Sequence, residues 1–267
     1  MTDAGWEQYD GFAEPAVADE RWEARSVPDG RGGWELLCDR TAQVSIDDGV
    51  REVRLERFTR QAVGVQNLDN PKHLAVSTRT FEIPSGGSAW FRADMAATAV
   101  NTDGVDYRDG FATFNVIDVE HKLIFDFTTT GSRIHALWEL QAIPVGLVPP
   151  EESFLYVIDN PELGLDPQPG QWHTYVAHLD SGHGVVEAFV DDRMLFRTAD
   201  LPAVPRLIKL GMGVLTLWPL AADGSSTSVR GQGMVARWRR ISIRLVGGDG
   251  RESASGPSWT DDAKLSR

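Results

Sequence analysis

The chain has 267 residues, 42% of them hydrophobic, and sets 26 basic against 39 acidic side chains for a formal net charge of −13. That length allows one or two domains, and β-sandwiches routinely use it as one, while the acidic balance and the lack of a basic stripe in the sequence argue against nucleic acid and anionic membranes as partners. No run approaches the roughly 18 apolar residues of a spanning helix, the start M-T-D-A-G-W-E-Q-Y-D lacks the basic and apolar regions of a leader, and Cys38 has no second cysteine, so a cytoplasmic protein without disulfides is expected.

In chain order, residues 1–37 hold Trp6, Tyr9, Phe12, Trp22 and Trp34 among acids, glycines and prolines. These are read as anchors of an N-terminal strand. Short runs follow between Gln43 and Gln66 (V-S-I, then Arg51 to Leu55, then A-V-G-V-Q), each bounded by Asp, Gly or Asn. Leu74 to Ile83 and Ala89 to Val100 alternate as half-buried strands should. No segment sustains a helical period, so little helix is expected.

Asn101 to Gly110 (N-T-D-G-V-D-Y-R-D-G) is a polar loop. Its Asp and Asn oxygens suit calcium, but the ordered spacing and terminal Glu of an EF-hand are missing, so an ordinary turn stays open beside a metal loop. Phe111 to Asp118, Leu123 to Thr128 and Arg133 to Leu140 then read as three consecutive strands. Alternation puts Thr113, Asn115, Asp126, Thr128, Arg133, His135 and Glu139 on one polar face. An antiparallel sheet with one solvated side also has this pattern.

Gln141 to Gly170 is proline-rich, with one strand at Phe154 to Ile158, and a long irregular connection of this kind often forms a rim or lid. Trp172 to Phe196 contains W-H-T-Y-V-A-H-L-D, the turn S-G-H-G, and V-V-E-A-F-V-D-D-R-M-L-F. This is a hairpin around glycines, with a second tight turn at Asp191-Asp192. Leu207 to Leu220 should be buried, and Ala221 to Ser228 is a loop. Gln232 to Val246 reads as a closing strand with a slip in register near Arg240. Residues 1–246 are expected to form the sandwich and 247–267 a disordered tail.

The W-H strand opening, the F-V-D-D-R strand end, Tyr9-Asp10-Gly11-Phe12 with Trp22, and the tryptophan in the last strand resemble the concanavalin A-like lectin/glucanase (laminin G-like) jelly-roll superfamily. L-I-F-D-F-T-T-T-G-S-R-I-H-A-L-W-E-L and P-G-Q-W-H-T-Y-V-A are similar to an actinobacterial family of unknown function. The resemblance implies an all-β, antiparallel β-sandwich whose concave outer face forms a ligand groove. Glucanases of this superfamily carry E-x-D-x-E on one strand. The nearest string here, Asp118-Val119-Glu120, is placed in a turn.

Asp126, His135 and Glu139 are the candidate catalytic set, since a carboxylate beside histidine can orient and tune it. Arg133 can hold a carboxylate or polarise a carbonyl. Thr113, Asn115, Thr128, Trp138, His173 and Tyr175 complete the expected binding residues. His121 and His183 fall in turns. The six histidines lack H-E-x-x-H spacing, and no phosphate loop or nucleophile elbow is present, so neither metal nor cofactor is expected.

Three functions fit these residues. The first is a cofactor-independent cyclase, isomerase or lyase acting on a small organic molecule in secondary metabolism. The second is a carbohydrate-binding or glycoside-cleaving protein, and the third a non-catalytic binding scaffold. The expected ligand is a small molecule or a saccharide, and a homodimer is compatible with the sequence.

Overall fold

A computed structural model describes residues 5–28, 33–59, 72–140, 154–159, 163–217 and 229–249. Sequence expectations at 62–66, in 141–153 and 160–162 of the proline-rich connection, at 218–228 and beyond 249 lie outside the described residues. In chain order the elements begin with β1 (Glu7–Asp10), helix α1 (Pro15–Arg21), β2 (Trp22–Ala24), β3 (Ser26–Pro28) and β4 (Trp34–Leu36). Next come β5 (Gln43–Asp47), β6 (Val50–Leu55), β7 (Lys72–Ser77), β8 (Phe81–Glu82) and β9 (Ser88–Val100). After a 3-10 turn at Tyr107–Asp109 follow β10 (Phe111–Asp118), β11 (Leu123–Thr129), β12 (Ile134–Leu140) and β13 (Phe154–Ile158). The chain closes with β14 (His173–Asp180), β15 (Val185–Val190), β16 (Arg193–Thr198), β17 (Leu207–Leu215) and β18 (Gly233–Val246).

These strands make two antiparallel sheets. The first runs β16-β15-β14-β9-β18-β6-β5, with β1 beside β18. The second runs β13-β12-β11-β10-β17-β7-β2, with β8 beside β17. Non-sequential neighbours such as β9–β18 and β10–β17 tie distant parts of the chain together, as a jelly roll requires. Their inner faces meet in one core. From the first sheet come Phe91, Met95, Tyr175, Leu179, Met234 and Trp238, and from the second Phe114, Val116, Phe125, Phe127, Leu210 and Met212. Trp238 is fully buried and its Nε1 donates to the Thr113 carbonyl at 3.1 Å, linking the two layers.

Local chemistry accounts for the joints. Asp48 and Gly49, at φ 46° and 74°, turn β5 into β6, and Asp191 and Asp192, at 49° and 65°, turn β15 into β16. Paired positive φ values of this kind match the twist of a hairpin. The slip expected near Arg240 is a β-bulge: the β18–β9 register shifts between Arg239 and Ser242, and Arg240 takes φ 53°. The run Leu74–Ile83 is two strands rather than one, because residues 78–80 leave the ladder and the Thr78 N–H bonds the Arg21 carbonyl instead. Helix α1 was not expected. Its seven residues bury only Ala18, too little for a period to show.

Asp10 organises the amino-terminal aromatics. It is 2% exposed and accepts from Phe12 N at 2.7 Å and Trp22 Nε1 at 2.8 Å; Trp22 stacks with Phe12 and meets Tyr9 edge-on, and Tyr9 in turn meets Phe81. The loop at 101–110 is also self-satisfied. Asp103 accepts from Val105 N, and Asp106 accepts from the Arg108 backbone and guanidinium. Asp103 and Asp106 serve as turn and helix caps and Asp109 pairs with Arg230, and among the described residues no cluster of acid, histidine and cysteine side chains has the grouping of a metal site.

A candidate ligand site on the outer face of the second sheet

Register fixes which side chains share a face. The pairings Thr113–Thr128–His135 form one row across β10, β11 and β12, and Asn115–Asp126–Leu137 form the next. Ile117–Ile124–Glu139 form a third. The partner strand β17 contributes Gly213, Gly211 and Lys209 to these same rows. At Gly211 the missing side chain leaves room beside Asn115, whereas Gly213 is closed in by the His73 carbonyl and Leu74. A Cβ at Gly211 would lie 2.8 Å from Asn115 Oδ1, so the asparagine amide occupies the space that glycine frees.

This face is not the solvated surface that its polar pattern suggests. Thr113 and Thr128 are fully buried, and Asn115 and His135 are 5% and 7% exposed. Apolar clusters flank the polar strip. Leu37, Leu74, Phe111 and Leu215 lie on one side, and Val76, Ile117 and Ile124 on the other. Asn115 Nδ2 donates to Thr113 Oγ1 at 2.9 Å. In contrast, Thr128 Oγ1 and His135 Nδ1 are buried without a hydrogen-bond partner among the described residues. Buried polar atoms are nearly always paired, which makes these two atoms candidates to receive a ligand's hydrogen bonds.

Arg25 supplies the counter-charge. Its N–H bonds the Leu74 carbonyl and its own carbonyl accepts from Leu37 N, which sets it at the margin of the sheet past β2. Burial weakens the hold of its guanidinium on the proton, and the carboxylates of Asp126 and Glu139 act in the opposite direction. Two acids and one arginine thus share this face, with His135 a row away. Burial lowers the His135 pKa below the usual 6.5. Asp159 opposes that shift and Arg133 adds to it. The ring therefore stays neutral near pH 7, with one nitrogen able to accept and the other to donate.

Tyr107, missed in the sequence reading, lies with its ring centroid 5.2 Å from that of His135. Its 3-10 turn is pinned by the Asp106 cap, by Arg108 O accepting from Leu217 N and Thr216 Oγ1, and by the Asp109–Arg230 ion pair. Neither Arg25 nor Tyr107 had a readable signal, because long-range pairing alone brings them to β10–β12.

Of the sequence-chosen residues, Thr113, Asn115, Asp126, Thr128, His135 and Glu139 come together. Arg133 stands at the rim, half exposed, in an ion pair with Asp166 at 2.5 Å. Three others belong elsewhere. Trp138 points inward with Phe125, Phe154 and Phe196, because it alternates with His135 and Glu139 along β12. Tyr175 is fully buried against Phe127. His173, on the inner side of β14, bonds Asp191 Oδ2 at 2.6 Å, a contact that fixes the β15–β16 turn. His121 and His183 cap their own turns through Asp118 and Asp180.

Solved structures share the sandwich. An endo-1,3-β-glucanase from Streptomyces sioyaensis superposes with a TM-score of 0.52 at 16% identity, over 91% of this chain and 98% of that one. Porphyranase B from Zobellia galactanivorans gives 0.51 at 14%, over 89% and 93%. An endo-β-1,4-glucuronan lyase from the fungus Trichoderma reesei gives 0.51 at 9%, over 84% and 94%. At these identities the likeness establishes the concanavalin A-like jelly roll. No curated protein matches the chain in sequence. The sequence model of one family does match, over residues 9–246, and the chain belongs to it: the family of unknown function DUF6081.

Proposed function

We propose that the protein binds and cleaves a saccharide on the outer face of its second sheet. The observation that carries this reading is the grouping of Asp126, Glu139 and Arg25 beside a neutral, buried His135. Cleavage of a glycosidic bond needs one group to protonate the leaving oxygen and another to act as base or nucleophile. Asp126 and Glu139 sit diagonally on adjacent strands, and diagonal neighbours lie about 7–8 Å apart at Cα. Both carboxylates therefore reach one sugar linkage above the sheet. In this mechanism Arg25 holds positive charge beside the two acids, one of which serves as proton donor and the other as base or nucleophile. Thr128 Oγ1 and His135 Nδ1, without a hydrogen-bond partner among the described residues, take sugar hydroxyls. The saccharide-cleaving neighbours of the fold support the choice of substrate class by analogy.

Release of reducing ends from β-1,3-glucan, porphyran and glucuronan tests this reading. Activity on one of them that disappears in both Asp126→Asn and Glu139→Gln, with melting temperatures unchanged, is the expected result. Full activity in either variant removes that carboxylate from the chemistry. One observation favours a second reading, acid/base chemistry on a small organic substrate: the apolar clusters that close in on both sides of the polar strip. Such a site would show turnover on compact ligands and none that rises with chain length of an oligosaccharide.

A further inference from the structure

The first sheet carries a second, unrelated constellation on its own outer face. Arg237, Arg239 and Arg240 leave β18 there, and the bulge at Arg240 lets two consecutive arginines turn to the same partner. That partner is Asp94 of β9, 2% exposed. Asp94 Oδ2 accepts from Arg239 Nε at 3.0 Å and from Arg240 Nε at 2.7 Å, with Arg240 Nη2 on the same oxygen. Asp94 Oδ1 accepts from Thr174 Oγ1 at 2.9 Å. Arg237 Nη2 donates to the Gly170 carbonyl at 3.0 Å. The Trp172 indole lies 5.4 Å from the Arg237 guanidinium carbon and 4.3 Å from that of Arg239. One row along, Arg92 is stacked on Trp6 at 4.5 Å. Glu52, opposite Arg237 across the strand pair, is held by Arg54.

Each guanidinium is thus fixed before any ligand arrives. The bonds described engage one N–H of Arg237, one of Arg239 and two of Arg240, out of five on each. Asp94 neutralises one charge of this set, so the patch is cationic on a chain whose net charge is −13. Arginine forks held in place match oxyanions in two-point geometry and lose little freedom on binding. An indole edge beside them offers a sugar ring an apolar surface. Isolated arginines on an acidic protein would be expected to pair with nearby surface acids. Arg239 and Arg240 are gathered on one buried aspartate instead, through a bulge at which Arg240 takes the left-handed backbone.

We infer that the outer face of the first sheet, centred on Arg237, Arg239, Arg240 and Trp172, binds an acidic saccharide chain through its carboxylate or sulfate groups. The surface lies on the opposite side of the sandwich from Asp126, so it holds a polymer without occupying the cleavage site.

Affinity electrophoresis of the full chain through gels containing polygalacturonate, dextran sulfate or neutral dextran tests this. The expected result is retardation by one or both acidic polymers, none by dextran, and weakening as salt rises from about 50 to about 200 mM. Arg237→Gln combined with Arg240→Asn leaves Arg239 on Asp94 and gives asparagine the left-handed backbone it tolerates. This variant should lose about tenfold in affinity or more. Arg237→Glu, which touches no buried acid, provides the same test should the double variant melt early. Asp126→Asn should be retarded like the wild type. Failure of both acidic polymers to retard the protein overturns the inference, as does unchanged retardation of both arginine variants. Loss of retardation in Asp126→Asn would move the binding to the other sheet. Equal or tighter binding of double-stranded DNA would overturn the saccharide class.

Discussion

Replacing Asp10 with alanine should destabilise the protein more than any other single carboxylate deletion near the amino terminus. The side chain is 2% exposed and receives hydrogen bonds of 2.7 Å from Phe12 N and 2.8 Å from Trp22 Nε1. Bonds to a charged group contribute about 1.5–3 kcal/mol each, and their loss here leaves two buried donors unpaired. Phe12 also sits at φ 52°, a conformation that costs about 1 kcal/mol or more and that the Asp10 bond helps hold. Arg21, 3.7 Å away and 39% exposed, contributes little beyond this. A loss of about 3–5 kcal/mol follows, or roughly 6–20 °C in melting temperature for a domain of this size. Asp10→Asn retains one acceptor and should lose roughly half as much. Thermal unfolding followed by circular dichroism measures both. An Asp10→Ala protein melting within about 2 °C of wild type would refute the reasoning.

Three further outcomes are expected. Burial lowers the pKa of His73 and His135, so the folded state prefers both neutral. Below the unfolded value of about 6.5 the unfolded chain binds more protons, and stability falls as pH drops from 7 toward 5 before levelling below the folded pKa values. A melting temperature that rises on acidification over that range contradicts this, and His135→Gln should flatten the slope. Tyr175 Oη is buried near Thr129 without a hydrogen bond of normal geometry among the described residues. Tyr175→Phe should therefore be neutral or gain up to about 1 kcal/mol in denaturant unfolding, and a loss of saccharide cleavage in that variant would return Tyr175 to the site. Gly213→Ala would bring a Cβ to 2.2 Å from the His73 carbonyl oxygen and 2.5 Å from Leu74 Cδ2. Backbone cannot yield cheaply there, so the urea midpoint should fall by the equivalent of about 1–3 kcal/mol, and an unchanged midpoint would show that β7 and β17 can part.

The strands and their faces were legible because strand alternation is a local property. The polar set Thr113, Asn115, Asp126, Thr128, His135 and Glu139 follows from counting alternate residues along β10–β12, and the register aligns them. The turns at Asp191-Asp192 and the slip at Arg240 were equally local, since positive φ and a doubled residue leave marks in the sequence. Trp138, His173 and Tyr175 went astray for the opposite reason. Choosing them gave chemistry precedence over alternation, although Trp138 alternates with His135 and so had to face inward. The electrostatic influence of Asp126 and Glu139 on Arg25 depends on β2 joining the edge of β7, which no neighbouring residue announces. The arginine face of the first sheet was hidden in the same way. Arg237, Arg239 and Arg240 are far apart in sequence from Trp172 and Asp94, and only the β14–β9–β18 order makes a stripe of them.

Hydrogen exchange read by mass spectrometry on the Asp126→Asn protein, with and without a saccharide that the wild type cleaves, tests the central claim most directly. The account predicts slowed exchange in Phe111–Asp118, Leu123–Thr129 and Ile134–Leu140, together with the Tyr107 turn. Protection confined to Ser88–Val100 and Gly233–Val246, or absent from β10–β12 at saturating ligand, would contradict it.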